Sequence, residues 1–491
     1  MDTDTLLTRG NPLLDTPSQP VQWPDPALAA ELASLHRTLA EFRREHGFGR
    51  AIAAPQLGIM KRVIALNLGA TPFALINPII NWRSAATFEV WDDCLSVPDC
   101  VVRVRRHCSV SVAYLDEQGR ERHWEKLPAD LAELVQHEID HLDGILMTER
   151  ALDADSIRPI AEHAALVGSA RPAHRLSLDN IAEAARRIDP VFLHSPQYEC
   201  EALSHSLGCS LTLKLEIANP IRCFKGRGAD YFLARVVADG DQRPMVCASA
   251  GNFGQALAYA CRKHGRHLVV YASVHANALK IARMRELGAQ VRQHGEDFDA
   301  AKAAAREYCE AHGAWLVEDG REASISEGAG SIAVELLARH DALDAVLVPL
   351  GNGAMLSGIA RWLKAASPAT RVIGVSSTGA DAMARAWRSG EIVALDRVDT
   401  IADGIAVRVP IPEAVADMGG IVDEVVLVED HHIINAMGAL FEHAGLLVEP
   451  AGAAGLAAIL ADSGRFAGQR LATVLCGGNL SREQIRQWLL N

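Results

Sequence analysis

From about Leu178 onward, short apolar runs and alanine-rich helical runs take turns along the chain, and this alternation narrows the fold more than any other feature. Strand-like runs lie at Leu211–Leu215, Met245–Ala248, His267–Tyr271, Ala345–Val348 and Val372–Val375, with helical segments such as Gln255–Lys263 and Ala278–Leu287 between them. Strands that follow one another through helical crossovers lie parallel and bury both faces. This part is therefore expected to be α/β, with mostly parallel sheets. Residues 20–150 read differently: strand-like Arg62–Leu68, Val101–Val104 and Ser109–Tyr114 mix with helical Pro26–Phe42 and Leu127–Leu142, an α+β pattern. Small residues and a proline in Val167-Gly-Ser-Ala-Arg-Pro-Ala-His174 mark a boundary. A chain of 491 residues exceeds the roughly 250–300 at which single cores stop growing. We expect two domains, 1–152 and 176–491, joined by a connector over 153–175.

Charge and cysteine usage exclude several classes of function. A net charge of −13 disfavours a phosphate-backbone binder, so no nucleic-acid partner is expected. The uncharged stretch Ala345–Ala360 carries Pro349, Gly351, Asn352, Gly353 and Gly358, too much turn chemistry for a membrane span. Met1-Asp2-Thr3-Asp4 offers no basic start to a secretory signal. Ten cysteines, none spaced as CxxC, fit a reducing cytoplasm.

Within the first part, Gln136-His137-Glu138-Ile139-Asp140-His141 contains HExxH. On a helix, positions i and i+4 share a face, so His137 and His141 can hold one metal ion while Glu138 takes a proton from bound water. A bare HExxH also occurs by chance on helix surfaces. Here Cys94 upstream offers a third, thiolate ligand. Gln56, in Gly49-Arg50-Ala51-Ile52-Ala53-Ala54-Pro55-Gln56, offers an amide donor for a developing oxyanion. These segments resemble the GxGxAAPQ, EGCLS and QHExxH segments of peptide deformylases, over residues 5–150. The resemblance implies a metal, ferrous iron or zinc, on Cys94, His137 and His141. It implies Glu138 as general acid/base, and Gln56 with the backbone N–H of Leu95 as oxyanion hole. Arg106 aligns with an arginine that lines the substrate cleft. The sequence departs from the pattern at Ala51 and Asp93, where the family has glycines. A small formylated metabolite is therefore as plausible a substrate as a formylated peptide. A zinc-protease reading needs a third ligand after HExxH and leaves Cys94 unexplained.

In the second part, Phe224-Lys225-Gly226-Arg227-Gly228-Ala229 sets one lysine among small residues. Ser249-Ala250-Gly251-Asn252 and Gly351-Asn352-Gly353-Ala354-Met355 each follow a strand and open a helix, where backbone N–H groups suit an anion. With Thr400-Ile-Ala-Asp-Gly404, Glu449-Pro-Ala-Gly-Ala-Ala454 and Cys476-Gly-Gly-Asn479, they resemble fold-type II pyridoxal-phosphate enzymes of the threonine dehydratase and cysteine synthase group, from Leu178 to Leu490. The resemblance implies pyridoxal 5'-phosphate joined to Lys225, which later moves the α-proton. Asn252 would touch the ring hydroxyl. Gly351, Asn352, Gly353, Ala354 and Met355 would cradle the phosphate. Cys476 would face the pyridine nitrogen and leave it unprotonated, favouring β-elimination or β-replacement over transamination. Ser249, Ala250, Gly251 and Asn252 would hold the substrate carboxylate. Ile221-Arg222-Cys223 replaces the usual threonine-glycine-serine, and Arg222 is either an extra anion contact or a solvated loop residue.

The expectation is a bifunctional enzyme. A deformylase frees an α-amine, which a pyridoxal-phosphate lyase of the ammonia-lyase/dehydratase type then uses, since a formylated nitrogen cannot join the cofactor. The substrate is an amino acid or N-formyl amino acid, and the resemblance implies a homodimer through the second domain. Alternatives are a β-replacement synthase in the second half, or one half kept as a binding or regulatory module.

Overall fold

The computed structural model describes residues 6–46, 49–68, 72–162, 174–339 and 343–490. Residues 163–173, which include most of the expected boundary, lie outside them. The chain divides into two compact units, Met1–His174 with Ala365–Ala369, and Arg175–Lys364 with Thr370–Asn491.

In the first unit, β1 (Ala51–Ala53), β2 (Val63–Leu66), β3 (Phe73–Arg83), β6 (Val110–Leu115) and β7 (Glu121–Trp124) form an antiparallel sheet in that order. The strands β4 (Thr87–Cys94), β5 (Val97–His107) and β8 (Ile157–Pro159) form a second one. Helix α1 (Leu28–His46) presents Leu28, Leu32, Leu35 and Leu39 at helical spacing to Ile52, Val63, Ala65 and Ile76. Helix α2 (Ala129–Leu142) is buried without interruption from Leu131 to Leu142. Part of the expected connector belongs to this unit instead: Ile157–Pro159 pairs with Cys100–Val102 of β5. Ile-Arg-Pro carries too little strand pattern to reveal that pairing.

The second unit is built as the alternation requires. A six-stranded sheet runs β17 (Glu424–Val428), β16 (Arg371–Ser377), β15 (Ala345–Pro349), β18 (Arg470–Leu475), β10 (Ser210–Leu215), β9 (Gln197–Glu199). All of it is parallel except β9, which pairs antiparallel at the edge. A four-stranded parallel sheet runs β13 (Gln290–Gln293), β12 (Leu268–Ala272), β11 (Met245–Ala248), β14 (Trp315–Leu316). The helices used below are α3 (Lys225–Ala238), α4 (Asn252–Lys263), α5 (Ala278–Glu286), α6 (Ala323–Leu337), α7 (Ala354–Ala366) and α8 (Pro450–Ala461). Between α6 and α7 a side chain has no room: a Cβ on Gly358 would stand 2.0 Å from the Ser326 carbonyl oxygen.

Beneath α3 lies a buried lattice of charges. Arg227 donates to Glu216 at 2.8 Å and to Glu335 at 2.7 Å, and Lys214 reaches Glu335 at 2.6 Å. Burial raises the Glu335 carboxyl, but Arg227 and Lys214 outweigh it and hold the pKa down at about 2. The lattice ties α3 to β10 and α6, and so fixes where the helix begins. Among the described residues no helix is long and apolar enough to cross a membrane.

Candidate functional site

Two clusters carry the chemistry. In the first unit, the two-residue periodicity of β4 turns Val90, Asp92 and Cys94 inward and leaves Asp93 half-buried. Leu95 and Ser96 form the turn into β5, which puts the Leu95 backbone beside Cys94. The thiol meets α2, where His137 and His141 stand one turn apart. Cys94 Sγ lies 3.2 Å from His141 Nε2, and the ligand atoms of Cys94, His137 and His141 all fall within 4.8 Å of one another. Asp92 accepts from His137 Nδ1 at 2.9 Å, which leaves Nε2 facing the cluster. Burial depresses His137, but the Asp92 carboxylate outweighs it and holds the imidazole well above its usual pKa. His141, buried and next to His137, falls well below.

Glu138 is 4% exposed, and its Oε2 has no hydrogen-bond partner among the described residues. Burial lifts its carboxyl to about 7. Gln56 accepts from the Ala53 N–H at 2.8 Å and donates to Ser96 Oγ at 3.1 Å, which turns its amide nitrogen toward Cys94 at 3.9 Å. A thiol and two imidazoles form a donor set that fits one transition metal with an open position, and the unpartnered Glu138 carboxyl stands beside it.

Arg106 requires a correction. Expected along a substrate cleft, it is 4% exposed and bound on both sides, to Asp92 at 2.9 Å and to Asp140 at 2.5 Å. Asp140 also takes Arg150 at 2.8 Å. A guanidinium without water needs carboxylates, and both of its partners adjoin the metal cluster. Its place is behind the ligands.

In the second unit, one cavity is lined by Phe224, Lys225, Asp319, Gly351, Asn352, Gly353, Ala354, Met355, Gly404 and Cys476. Lys225 opens α3. The loop between β15 and α7 supplies Gly351–Met355. Gly353 has φ +90°, and a Cβ on Gly351 would stand 2.7 Å from the Gly404 carbonyl oxygen, so both glycines are required by the path of this cradle. Cys476 follows β18, and burial pushes its thiol well up, so it stays neutral. Burial lowers Lys225, but Asp319 outweighs it and the ammonium is held.

The Ser249–Asn252 turn joins β11 to α4. Ser249 Oγ accepts from the N–H of Gly251 at 3.2 Å and of Gly254 at 3.0 Å. Asn252 Nδ2 donates to Glu449 at 3.0 Å, and Oδ1 accepts from Asn479 at 2.9 Å. Arg222, in the remodelled segment, is exposed with φ +53°. A lysine among buried walls, a glycine-bearing loop that opens a helix and a neutral thiol fit a phosphate-bearing aromatic aldehyde.

Residues 188–477 match the family model described as pyridoxal-phosphate dependent enzyme. The chain belongs to that family. The chain is 36% identical over 317 residues to the biosynthetic L-threonine dehydratase of Mycobacterium tuberculosis, covering 63% of this chain and 74% of that protein. It is 33% identical over 310 residues to the L-threonine ammonia-lyase of Thermotoga maritima, covering 63% and 77%. Against the dehydratase of Pasteurella multocida, 33% identical, it spans 57% of that protein's length and 60% of its own. Among solved structures, the processed form of threonine deaminase isoform 2 from Solanum lycopersicum superposes with TM-score 0.59 at 27% identity, covering 63% of this chain and 88% of that one. Residues 3–156 match the model described as polypeptide deformylase.

Motif spacing points to the candidate ligands and loops but not to the residues that brace them. Asp140 sits inside the Gln136–His141 motif and Asp92 stands two residues before Cys94, yet spacing gives no sign that Arg106 bridges them. Glu449 and Asn479 also stood in quoted segments, and only the fold shows that they grip Asn252. Asp319 had no sequence signal beyond a turn after a strand.

Proposed function

We propose that the chain is a cytoplasmic bifunctional enzyme, which hydrolyses an N-formyl group in its first unit and carries out β-elimination on an amino acid in its second. The observation that carries the first half is the convergence of Cys94, His137 and His141 with the unpartnered Glu138 beside them. A bound metal supplies Lewis acidity and lowers the pKa of water. Glu138, buried beside the candidate ligands, is placed to accept a proton from the attacking water and to return it to the departing amine. Gln56 and the Leu95 N–H steady the oxyanion of the formyl carbon.

In the second half, pyridoxal phosphate supplies the electron sink when bound. The Gly351–Met355 loop holds its phosphate, and Asn252, gripped by Glu449 and Asn479, stands ready for its hydroxyl. Neutral Cys476 keeps the ring nitrogen unprotonated. The turn Ser249–Asn252 orients the substrate carboxylate, and Lys225 removes the α-proton. Support for the lyase reading comes from the relatives named for threonine dehydration. Fusion serves the sequence of steps, because only the deformylated amine can replace Lys225 on the cofactor. We further propose a homodimer through the second unit. All ten cysteines are free, in keeping with a reducing compartment.

The test incubates the protein with N-formyl and free amino acids and follows formate and keto acid together. Formate first and keto acid after it, from one formylated substrate, is the expected course. Keto acid from free amino acids but no formate from any substrate would overturn the deformylase half.

A further inference from the structure

Asp319 stands inside the cofactor pocket and no motif accounts for it. It lies in the turn Val317-Glu318-Asp319-Gly320 after β14. Its Oδ2 accepts a hydrogen bond from Lys225 Nζ at 2.5 Å. Its Oδ1 has no partner among the described residues, although the residue is only 5% exposed. Glu318 beside it already holds Lys302 and Arg321, so Asp319 is the acid of this turn that serves the cavity.

A buried carboxylate with one oxygen unmet is a cost that a bound donor removes. The cofactor's phosphate is anionic and its ring hydroxyl is assigned to Asn252, which leaves a substrate hydroxyl as the donor that suits Oδ1. A substrate amine that joined the cofactor in place of Lys225 would free the Lys225 amine beside the substrate, and Asp319 Oδ2 is bonded to that amine.

We propose that Asp319 and Lys225 together form the acid that protonates the leaving group on the substrate's β-carbon, and that they select a β-hydroxyl. Oδ2 keeps the Lys225 amine in place and stabilises its ammonium once it has taken the α-proton. Oδ1 accepts a hydrogen bond from the substrate hydroxyl and turns its lone pair toward Nζ. The α-proton passes to neutral Lys225, and the C–H electron pair forms the Cα–Cβ double bond. The Cβ–O bond breaks with its electrons going to oxygen, which takes the proton from the Lys225 ammonium and leaves as water. Lys225 is neutral again, and no oxidant or co-reactant is needed. Hydroxide is a poor leaving group unless protonated, whereas chloride leaves unaided, so dependence on the leaving group isolates this role.

This rests on the lyase reading of the second unit, and the experiment separates the two. Holoenzyme and its Asp319→Asn variant are compared with L-serine, L-threonine and β-chloroalanine. The pH titration of the cofactor absorbance band is recorded for each. Asp319→Asn should lose about a hundredfold or more in kcat with the hydroxy amino acids and far less with β-chloroalanine. Its absorbance midpoint should fall by about one pH unit, because the charge that favours a protonated nitrogen is gone. Asp319→Glu, which keeps the charge, should hold the midpoint near the parent value. Equal losses on all three substrates, or an unmoved midpoint, would overturn the acid role while leaving the lyase intact. Failure of the unaltered protein to develop a cofactor band would overturn the lyase reading, and this proposal with it.

Discussion

Both clusters stand on buried ion lattices, but the lattices meet the chemistry at different points. In the first unit the lattice ends on a candidate metal ligand: from the exposed Arg150, the buried Asp140, Arg106 and Asp92 run in sequence to His137. In the second it stops short. Arg227, two residues beyond Lys225 on α3, bonds Glu216 and Glu335, and no member of that lattice lines the cofactor cavity. The first lattice tunes a donor atom, while the second holds a helix. Damage to the first should therefore appear as lost affinity, and damage to the second as lost stability.

The largest effect should come from Glu138→Gln, which lies outside both lattices. It removes a proton acceptor and no ligand, so metal content should persist while formate release falls about 10²–10⁴-fold. Elemental analysis beside a formate assay checks it, and loss of metal would mean that Glu138 belongs to the scaffold. Arg227→Met should come next. It strands the buried Glu216 and Glu335 carboxylates and should destabilise the second unit by about 3–5 kcal/mol in urea unfolding, with metal content unchanged. A drop under about 1 kcal/mol would show that the lattice does not anchor α3.

Acid should reach the same lattice more gently. The folded pKa of Glu335, about 2, lies below its ordinary 4.5, so its contribution is fully present above about pH 4.5 and disappears as pH falls toward 2. The loss is on the order of 3 kcal/mol. Glu335→Gln should flatten this part of the pH–stability curve, and a curve as steep as the parent's would place the titrating group elsewhere. The smallest effect is expected of Asp92→Asn. It keeps the shape but weakens the grip on His137, and metal affinity should fall about 10–100-fold with little change in unfolding. If Asp92→Asn unfolded the first unit instead, the contrast between the two lattices would disappear.

Much of this was legible before any coordinates, for a physical reason. His137 and His141 are four residues apart on one helix, so local geometry alone brings them together. The alternation after Leu178 announces parallel strands because crossovers demand helices. The strand Val97–His107 was visible only as Val101–Val104, because its ends carry charged and polar residues that pair across the hairpin. Arg106 was misplaced since burial of a guanidinium is decided by Asp92 and Asp140, 14 and 34 residues away, and no local pattern records them. Asp319 was missed for the same reason: its partner is Lys225, 94 residues distant.

The position of β18 has a consequence for how the protein is made. Arg470–Leu475 lies in the middle of the six-stranded sheet, between β10 and β15. Both neighbours leave the ribosome long before it does. Until Arg470–Leu475 emerges, β10 and β15 each expose a bare edge, and Cys476 has yet to close the pocket around Lys225. The first unit needs nothing past β8 to pair its strands, so both of its sheets can form while the second unit still waits. A chain that stops anywhere between 216 and 469 therefore carries the strands of the first unit together with a second unit whose sheet lacks its middle strand.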